Sequence, residues 1–283
     1  MRGRRSARGW TTSSRRSARS AKSAARPTPP IPRTTPRAVA TTESLAVVGR
    51  PDGLPVIGPG EPLEAAAVLV DKPGGMSSFG VVKKVRWALG VKKVGHAGTL
   101  DPMATGLLIV LVGRGATRQQ DRFMGLPKVY TGTIRLGETT ASYDAETPVD
   151  SATDASGVSG EALADVRERF VGELTQVPPV YSAIKKGGER LYKKARRGED
   201  VEVPPRHVTV YGLEWTDIRR EGEVIDVDFR VESSKGFYVR SLAFDVGAAL
   251  GVGGHLTALR RESIGPFSVA EAFSLDAFTR DDA

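Results

Sequence analysis

The chain has 283 residues, with 41 Lys+Arg against 33 Asp+Glu, 40% hydrophobic content and no cysteine. This excludes a disulfide scaffold, a thiolate zinc site and a cysteine nucleophile, and no run approaches the roughly 20 consecutive apolar residues of a transmembrane helix. The net charge of +8 is uneven: residues 1–42 carry 11 basic and no acidic side chains, so the remaining 241 residues carry 30 basic and 33 acidic, a net of −3.

Residues 1–42 contain no Leu or Phe, one Ile (Ile31) and one Val (Val39). Too little apolar area is available there to offset ordering entropy. Residues 1–60 are therefore expected to form a disordered basic tail and linker, and 61–283 a single folded body. A nucleic-acid-binding arm, a transit-type leader and a start codon set too far upstream all fit the Arg- and Ser-rich tail. No secretory apolar core is present, and a cytoplasmic location is expected.

The run 67–70 predicts a buried strand, followed by a turn at 71–75. Ser77 or Ser78 then caps a helix whose apolar face includes Phe79, Val82, Val85 and Leu89. Residues 95–106 read as a glycine-containing loop and 107–112 as a central strand. Residues 128–136 predict a strand with Tyr130, Ile134 and Leu136 on one face. A polar loop at 150–160, a helix near 161–171, an extended segment at 177–184 and a helix at 191–197 follow. Residues 224–232 alternate, with Ile225, Val227, Phe229 and Val231 on one side, and predict a half-buried strand. Helices are expected at 238–250 and 255–261. Strands and helices without regular βαβ alternation predict an α/β (α+β) fold, with a mixed central sheet flanked by helices.

The segment Gly95-His96-Ala97-Gly98-Thr99-Leu100-Asp101-Pro102-Met103-Ala104-Thr105-Gly106-Leu107-Leu108 holds one Asp immediately before a buried strand. Asp-Pro is a common turn signal. From the residues alone the turn is the commoner role of such an Asp; a carboxylate held on a rigid loop is also a place for chemistry, as nucleophile or general base.

That segment resembles the catalytic motif of the TruB family, the tRNA pseudouridine-55 synthases. Further blocks resemble the family in its order: Val70-Asp71-Lys72-Pro73-Gly74-Gly75, Lys128-Val129-Tyr130, Tyr181-Ser182-Ala183-Ile184-Lys185, Ser234-Lys235-Gly236-Phe237-Tyr238-Val239-Arg240, and His255-Leu256-Thr257-Ala258-Leu259-Arg260-Arg261. The resemblance implies a pseudouridine-synthase fold with a mainly antiparallel sheet. It also implies isomerisation of a T-loop uridine of tRNA, with no cofactor and no metal. It makes Asp101 the essential carboxylate, either attacking C1′ or promoting a glycal route, with Arg240 as its ion-pair partner. Tyr130 is implied to stack on the target base, Tyr238 and Leu259 to wall the pocket, His96 to contact the rearranged RNA loop, and Lys72 to pack beside the catalytic loop or contact substrate.

The partner expected from the resemblance is the tRNA T-arm, with the protein a monomer that contacts no membrane. Three basic groups would contact phosphate: Lys83, Lys84, Arg86, Lys92 and Lys93; Arg114, Arg118, Arg122 and Lys128; and 185–197. Ala141 departs from the family, standing where an Asp is common, while Asp144 is retained and expected to contact RNA. A C-terminal PUA-type domain is expected to be missing, which implies weaker tRNA affinity and argues against a guide-RNA-dependent enzyme. The alternative reading is a non-catalytic tRNA-folding chaperone on the same scaffold.

Overall fold

The computed structural model describes residues 40–42, 45–49, 65–181, 185–186, 189–190 and 203–279. In chain order the first elements are β1 (Ala40–Thr42), β2 (Leu45–Val48), β3 (Ala66–Lys72), α1 (Ser78–Leu89), β4 (Val94–Ala97) and β5 (Thr105–Val112). Two short helices, α2 (Gly113–Thr117) and α3 (Gln120–Met124), lead to β6 (Lys128–Leu136), β7 (Glu138–Thr140), β8 (Val149–Ala152), α4 (Gly160–Arg169) and β9 (Gly172–Gln176). After β10 (Lys185–Lys186) and β11 (Glu189–Arg190) come β12 (Arg206–Glu221), β13 (Val224–Ser233), α5 (Val239–Leu250), β14 (Gly254–Ile264), β15 (Phe267–Ser268) and β16 (Phe273–Ser274).

One sheet organises the body, in the order β1-β2-β3-β5-β14-β6-β13-β12-β9, with β4 on β5, β15 on β14 and β16 on β3. Most pairings are antiparallel; β2–β3, β5–β14 and β3–β16 are parallel. β3 and β5 are apolar along their length because both of their faces are covered. Val68, Val70, Leu108 and Val110 pack on Val81 and Val85 of α1, while Leu69, Leu107, Ile109 and Leu111 pack on Ala116, Phe123 and Phe267. β13 alternates as expected, and its inward Ile225, Val227, Phe229 and Val231 meet Leu163 and Val166 of α4 and Leu242 and Val246 of α5.

Two close backbone approaches set the packing around the Asp101 loop, one of α5 on the start of β14 and one of β5 on β14. Gly247 on α5 faces the Gly253–Gly254 backbone, where a Cβ would come within 2.2 Å of main-chain atoms. Gly106 has φ +99° and would push a Cβ to 2.4 Å from the Arg261 carbonyl oxygen. Only glycine satisfies both its backbone and its neighbour there.

Several expectations are corrected. The 255–261 segment is strand β14, not helix. A bulge between Leu256 and Ala258 lets Leu256 and Leu259, three residues apart, both point inward and so imitate helical spacing. Residues 95–97 of the expected loop belong to β4, which pairs with β5. On α1, Phe79 is exposed and Val81 takes its place in the core. Lys128 is buried, its Nζ donating to the carbonyls of Met124 (2.7 Å) and Leu126 (2.5 Å), so it belongs to no exposed basic patch. β1 and β2 fall within the stretch expected to be disordered: Ala46 and Val48 pair with Ala66 and Val68 of β3. The Leu-Ala-Val-Val run of β2 is apolar, which the polar average of the surrounding tail conceals. Positions 1–39 and 50–64, and the helix expected at 191–197, lie outside the described residues.

Candidate active site

The loop between β4 and β5 carries Asp101, and nearly every polar group around it is tied down. Ser78, at the start of α1, donates from Oγ to the Leu100 carbonyl (2.9 Å) and accepts from the Leu100 N–H (2.8 Å). The Gly75 N–H donates to the Pro102 carbonyl (2.9 Å), and the Ala104 N–H to the Asp101 carbonyl (3.1 Å). From below, fully buried Lys72 donates from Nζ to the carbonyls of Pro73 (2.9 Å), Pro102 (3.1 Å) and Ala104 (2.5 Å). Arg261, also buried, donates to the carbonyls of Leu107 (2.7 Å) and Gly98 (3.1 Å). A loop with its Gly98, Leu100, Asp101, Pro102 and Ala104 carbonyls engaged holds its carboxylate within a narrow range of positions.

Asp101 lines a cleft of about 1040 Å³. Its side chain is 36% exposed through that opening. Burial of the remainder raises its pKa; the nearby Arg240 guanidinium opposes this, and the charge of Asp144 adds to it. Arg240 projects from the first turn of α5 and is itself buried. Its Nε lies 2.9 Å from Asp101 Oδ2 and 3.5 Å from Asp144 Oδ2, and its Nη1 donates to the Ser142 carbonyl (3.1 Å). One permanent cation is thus shared by an open carboxylate and a closed one.

Asp144 is 1% exposed, so it is not placed to contact RNA. Its carboxylate accepts from Ser142 Oγ (2.5 Å) and from the Glu146 N–H (3.0 Å). Glu146 in turn accepts from the Met103 N–H (2.9 Å), closing a ring back to the Asp101 loop. Between Ser142 and Asp144 stands Tyr143, the one non-glycine with positive φ (+62°) among the described residues. A bulky side chain in that conformation costs about 1 kcal/mol or more.

The opposite walls are aromatic and cationic. Tyr130 on β6 pairs with Arg261 on β14, and Leu259 pairs with Gly132, so Tyr130, Leu259 and Arg261 share the face that borders the cleft. Tyr238 lies at the N-terminus of α5, its backbone clamped by buried Gln176, which accepts from the Tyr238 N–H (2.8 Å) and donates to its carbonyl (3.0 Å). Arg206, His207 and Lys235 also line the cleft and are exposed.

Asp101, Tyr130, Tyr238, Arg240 and Leu259 are therefore brought together. Two residues are not. Lys72 does not reach the opening, because its ammonium is consumed by carbonyls; burial lowers its pKa to about 8. His96 is absent from the cleft lining; it lies on β4, partly exposed, with Nδ1 buried and unpartnered. Burial and the charge of Arg261 lower its pKa, which keeps it neutral near pH 7. Sequence reading missed Arg206 and His207 because it missed the start of β12, and it missed the Asp144 contact because that contact is long-range. Among the described residues no cluster of His, Asp or Glu could hold a metal ion.

The model of the TruB family pseudouridylate synthase N-terminal domain matches residues 86–239, and that of the tRNA pseudouridylate synthase B C-terminal domain matches 240–281. The chain belongs to the TruB family. Relatives named tRNA pseudouridine synthase B agree with this assignment. The protein from Cutibacterium acnes is 52% identical over 219 residues, 77% of this chain and 74% of the relative. That from Corynebacterium efficiens is 50% identical over 208 residues, 74% and 70% of the two chains. Among solved structures, a chain in a Cbf5-Nop10-Gar1 complex is 32% identical with a TM-score of 0.56. The match covers 74% of this chain but only 52% of that one. A chain in an H/ACA RNP bound to a substrate RNA containing 2′-deoxyuridine is 29% identical, with a TM-score of 0.53, and covers 74% and 51%. Within the TruB family this chain has the mixed, mainly antiparallel sheet expected of a pseudouridine synthase.

Proposed function

We propose that this TruB-family enzyme converts the uridine at position 55, in the T-loop of tRNA, to pseudouridine, with Asp101 as the catalytic residue. The observation that carries the reading is the Asp101 carboxylate, open to a large cleft and paired with Arg240 at 2.9 Å. Breaking the N1–C1′ bond leaves an electron-poor sugar carbon, and a fixed carboxylate can either attack it or help draw a proton from the ribose. The base is then turned and rejoined through C5. The reaction is an isomerisation, so it consumes no oxidant and no energy source.

Such chemistry requires the nucleotide to leave its stack, at a cost of a few kcal/mol that stacking in the pocket offsets. Tyr130 is assigned the stacking surface, and Tyr238 and Leu259 the walls. Arg206, Lys235 and the exposed bases on α1, α2 and α3 are assigned phosphate contacts. His96, two residues before Gly98 of the cleft wall, is assigned an RNA contact rather than proton transfer. The roughly 50% identical relatives carry the name of the tRNA enzyme, which favours tRNA over a guide-RNA-dependent target.

The test is tritium release from C5-labelled uridine in a T-arm stem-loop, beside a filter-binding curve. Wild type should turn over, and Asp101→Asn should lose turnover while binding stays within about threefold. Substantial turnover by the variant removes Asp101 from its role. Light scattering on the same preparation tests the expected monomer.

A further inference from the structure

We infer that Tyr143 is a positioning residue, whose ring, stacked on Phe244 of α5, fixes the backbone that holds Arg240 against Asp101. The inference rests on the proposed function above and extends it to a residue outside the lining of the cleft. Tyr143 and Phe244 are stacked, with ring centroids 4.1 Å apart and planes 18° from parallel. Phe244 stands one helical turn after Arg240, so both side chains leave the same face of α5. That face meets a single tight loop. Arg240 receives the Ser142 carbonyl and the Asp144 carboxylate, and Phe244 receives the ring of the residue between them.

The backbone makes the arrangement sensitive. With φ +62°, Tyr143 turns the chain so that its two neighbours can both face Arg240. The Leu256 N–H donates to the Tyr143 carbonyl (3.0 Å), and the Tyr143 N–H donates to the Thr140 carbonyl (3.1 Å). Those bonds are available to any residue at this position. They do not explain why a bulky side chain occupies a conformation that glycine adopts freely and tyrosine avoids. The stack does, because it rewards the strained conformer and no other. The hydroxyl is not required. Burial raises the Tyr143 pKa, and the charge of half-buried Asp245, whose own pKa burial pushes up to about 6, adds to the rise.

The experiment uses the full-length protein and three substitutions, with kcat, KM and the pH–rate profile measured on the T-arm stem-loop. Tyr143→Phe keeps the stack and should stay within twofold of wild type. Tyr143→Ala keeps the strain without the stack and should lower kcat about tenfold or more, with KM within threefold. Its acid limb should move to higher pH, because a displaced Arg240 no longer holds down the Asp101 pKa. Tyr143→Gly removes the strain together with the stack and should recover much of the Ala loss. That order, Phe above Gly above Ala, is not expected of a residue that only fills space, for which Gly would be the worst. An alanine variant as active as wild type, or a glycine variant no better than alanine with the acid limb unmoved, overturns the inference. Wild-type turnover in the same assay reports on the proposed function separately. Should Tyr143→Ala fail to fold, Phe244→Ala removes the stack from the other side and takes its place, with the same kcat loss and shift of the acid limb expected and wild-type behaviour overturning the inference.

Discussion

Arg240 reaches Asp101 through Nε at 2.9 Å, and this contact opposes the rise in pKa that burial imposes on the carboxylate. Removing the guanidinium leaves desolvation and the charge of Asp144, which favour the protonated acid, against only the weaker opposing charge of Lys72. Arg240→Ala should therefore shift the acid limb of kcat to higher pH and lower kcat at pH 7 by about 10² or more. Arg240→Lys should rescue only part of this, since one ammonium cannot meet Asp101, Asp144 and the Ser142 carbonyl together. Stopped-time tritium release across pH 5 to 9 reads both effects; an unmoved acid limb would sink the pairing.

Asp144 is the closed partner of the same cation. Asp144→Asn keeps the shape and the Oδ1 that accepts from Ser142 and Glu146, but it halves the anionic charge around Arg240 and turns an amide donor toward the guanidinium in place of Oδ2. The expected result is a kcat loss of about tenfold, or ~1.4 kcal/mol of transition-state stabilisation, at nearly constant KM. Asp144→Ala should in addition lower unfolding free energy by about 1–3 kcal/mol, because Arg240 and two donors lose a buried acceptor. Urea titration beside steady-state kinetics separates the two consequences.

Lys72 bonds three carbonyls around the catalytic loop from a fully buried position. Lys72→Met fills the volume but takes the shared ammonium donor from all three carbonyls, of which Pro102 keeps the Gly75 N–H, and should destabilise the fold by about 3 kcal/mol at pH 7. The pH dependence has a definite sign. Burial sets the folded-state pKa at about 8, below the ordinary 10.5, so the unfolded chain binds more protons between those values. This group's contribution to stability therefore rises as pH goes from 8 to 10.5. Lys128, also lowered to about 8, acts in the same direction but is present in both proteins and cancels in their difference. The gap between wild type and Lys72→Met should widen over that window in urea melts; a constant or narrowing gap contradicts the assignment.

Local pattern carried the parts of the fold that depend on local pattern. The apolar runs of β3 and β5, the alternation of β13 and a serine cap of α1 at Ser77 or Ser78, which the structure gives as Ser77, were all legible, since each reflects burial or capping within a few residues. β12 was not legible, because bulges at Val210/Gly212 and Trp215/Asp217 break its alternation, and its far end is solvated on both sides. Asp101 stood out as a lone carboxylate in a punctuated loop, but its pairing with Arg240 came from family resemblance alone. No spacing rule joins the end of β4 to the start of α5. The roles of Asp144, Glu146 and Tyr143 were hidden for the same reason, since they arise only when the 140–147 loop meets α5 and the Asp101 loop. Lys72 was read as evenly divided between structure and substrate, and three carbonyl bonds decide for structure.

Beyond the cleft, a groove of about 470 Å³ is lined by Lys93, Arg114 and Arg118 with Thr117 and Gln120. α3 joins the two openings, since Gln120 faces the groove while Asp121 and Met124 face the cleft. Three exposed cations in one recess offer phosphate contacts that carry no sequence information and position the RNA. Each contact that is made releases condensed counterions, so binding weakens as salt rises. Replacing Lys93, Arg114 and Arg118 together by Gln should weaken T-arm binding at low salt and flatten the slope of log K against log salt by about 2 to 3, roughly one per contact. At saturating RNA, kcat should remain within about twofold, because none of the three touches Asp101 or Arg240. Filter binding from 50 to 300 mM salt, with kcat measured on the same preparations, checks both halves. An unchanged slope would mean that the RNA backbone does not follow this groove.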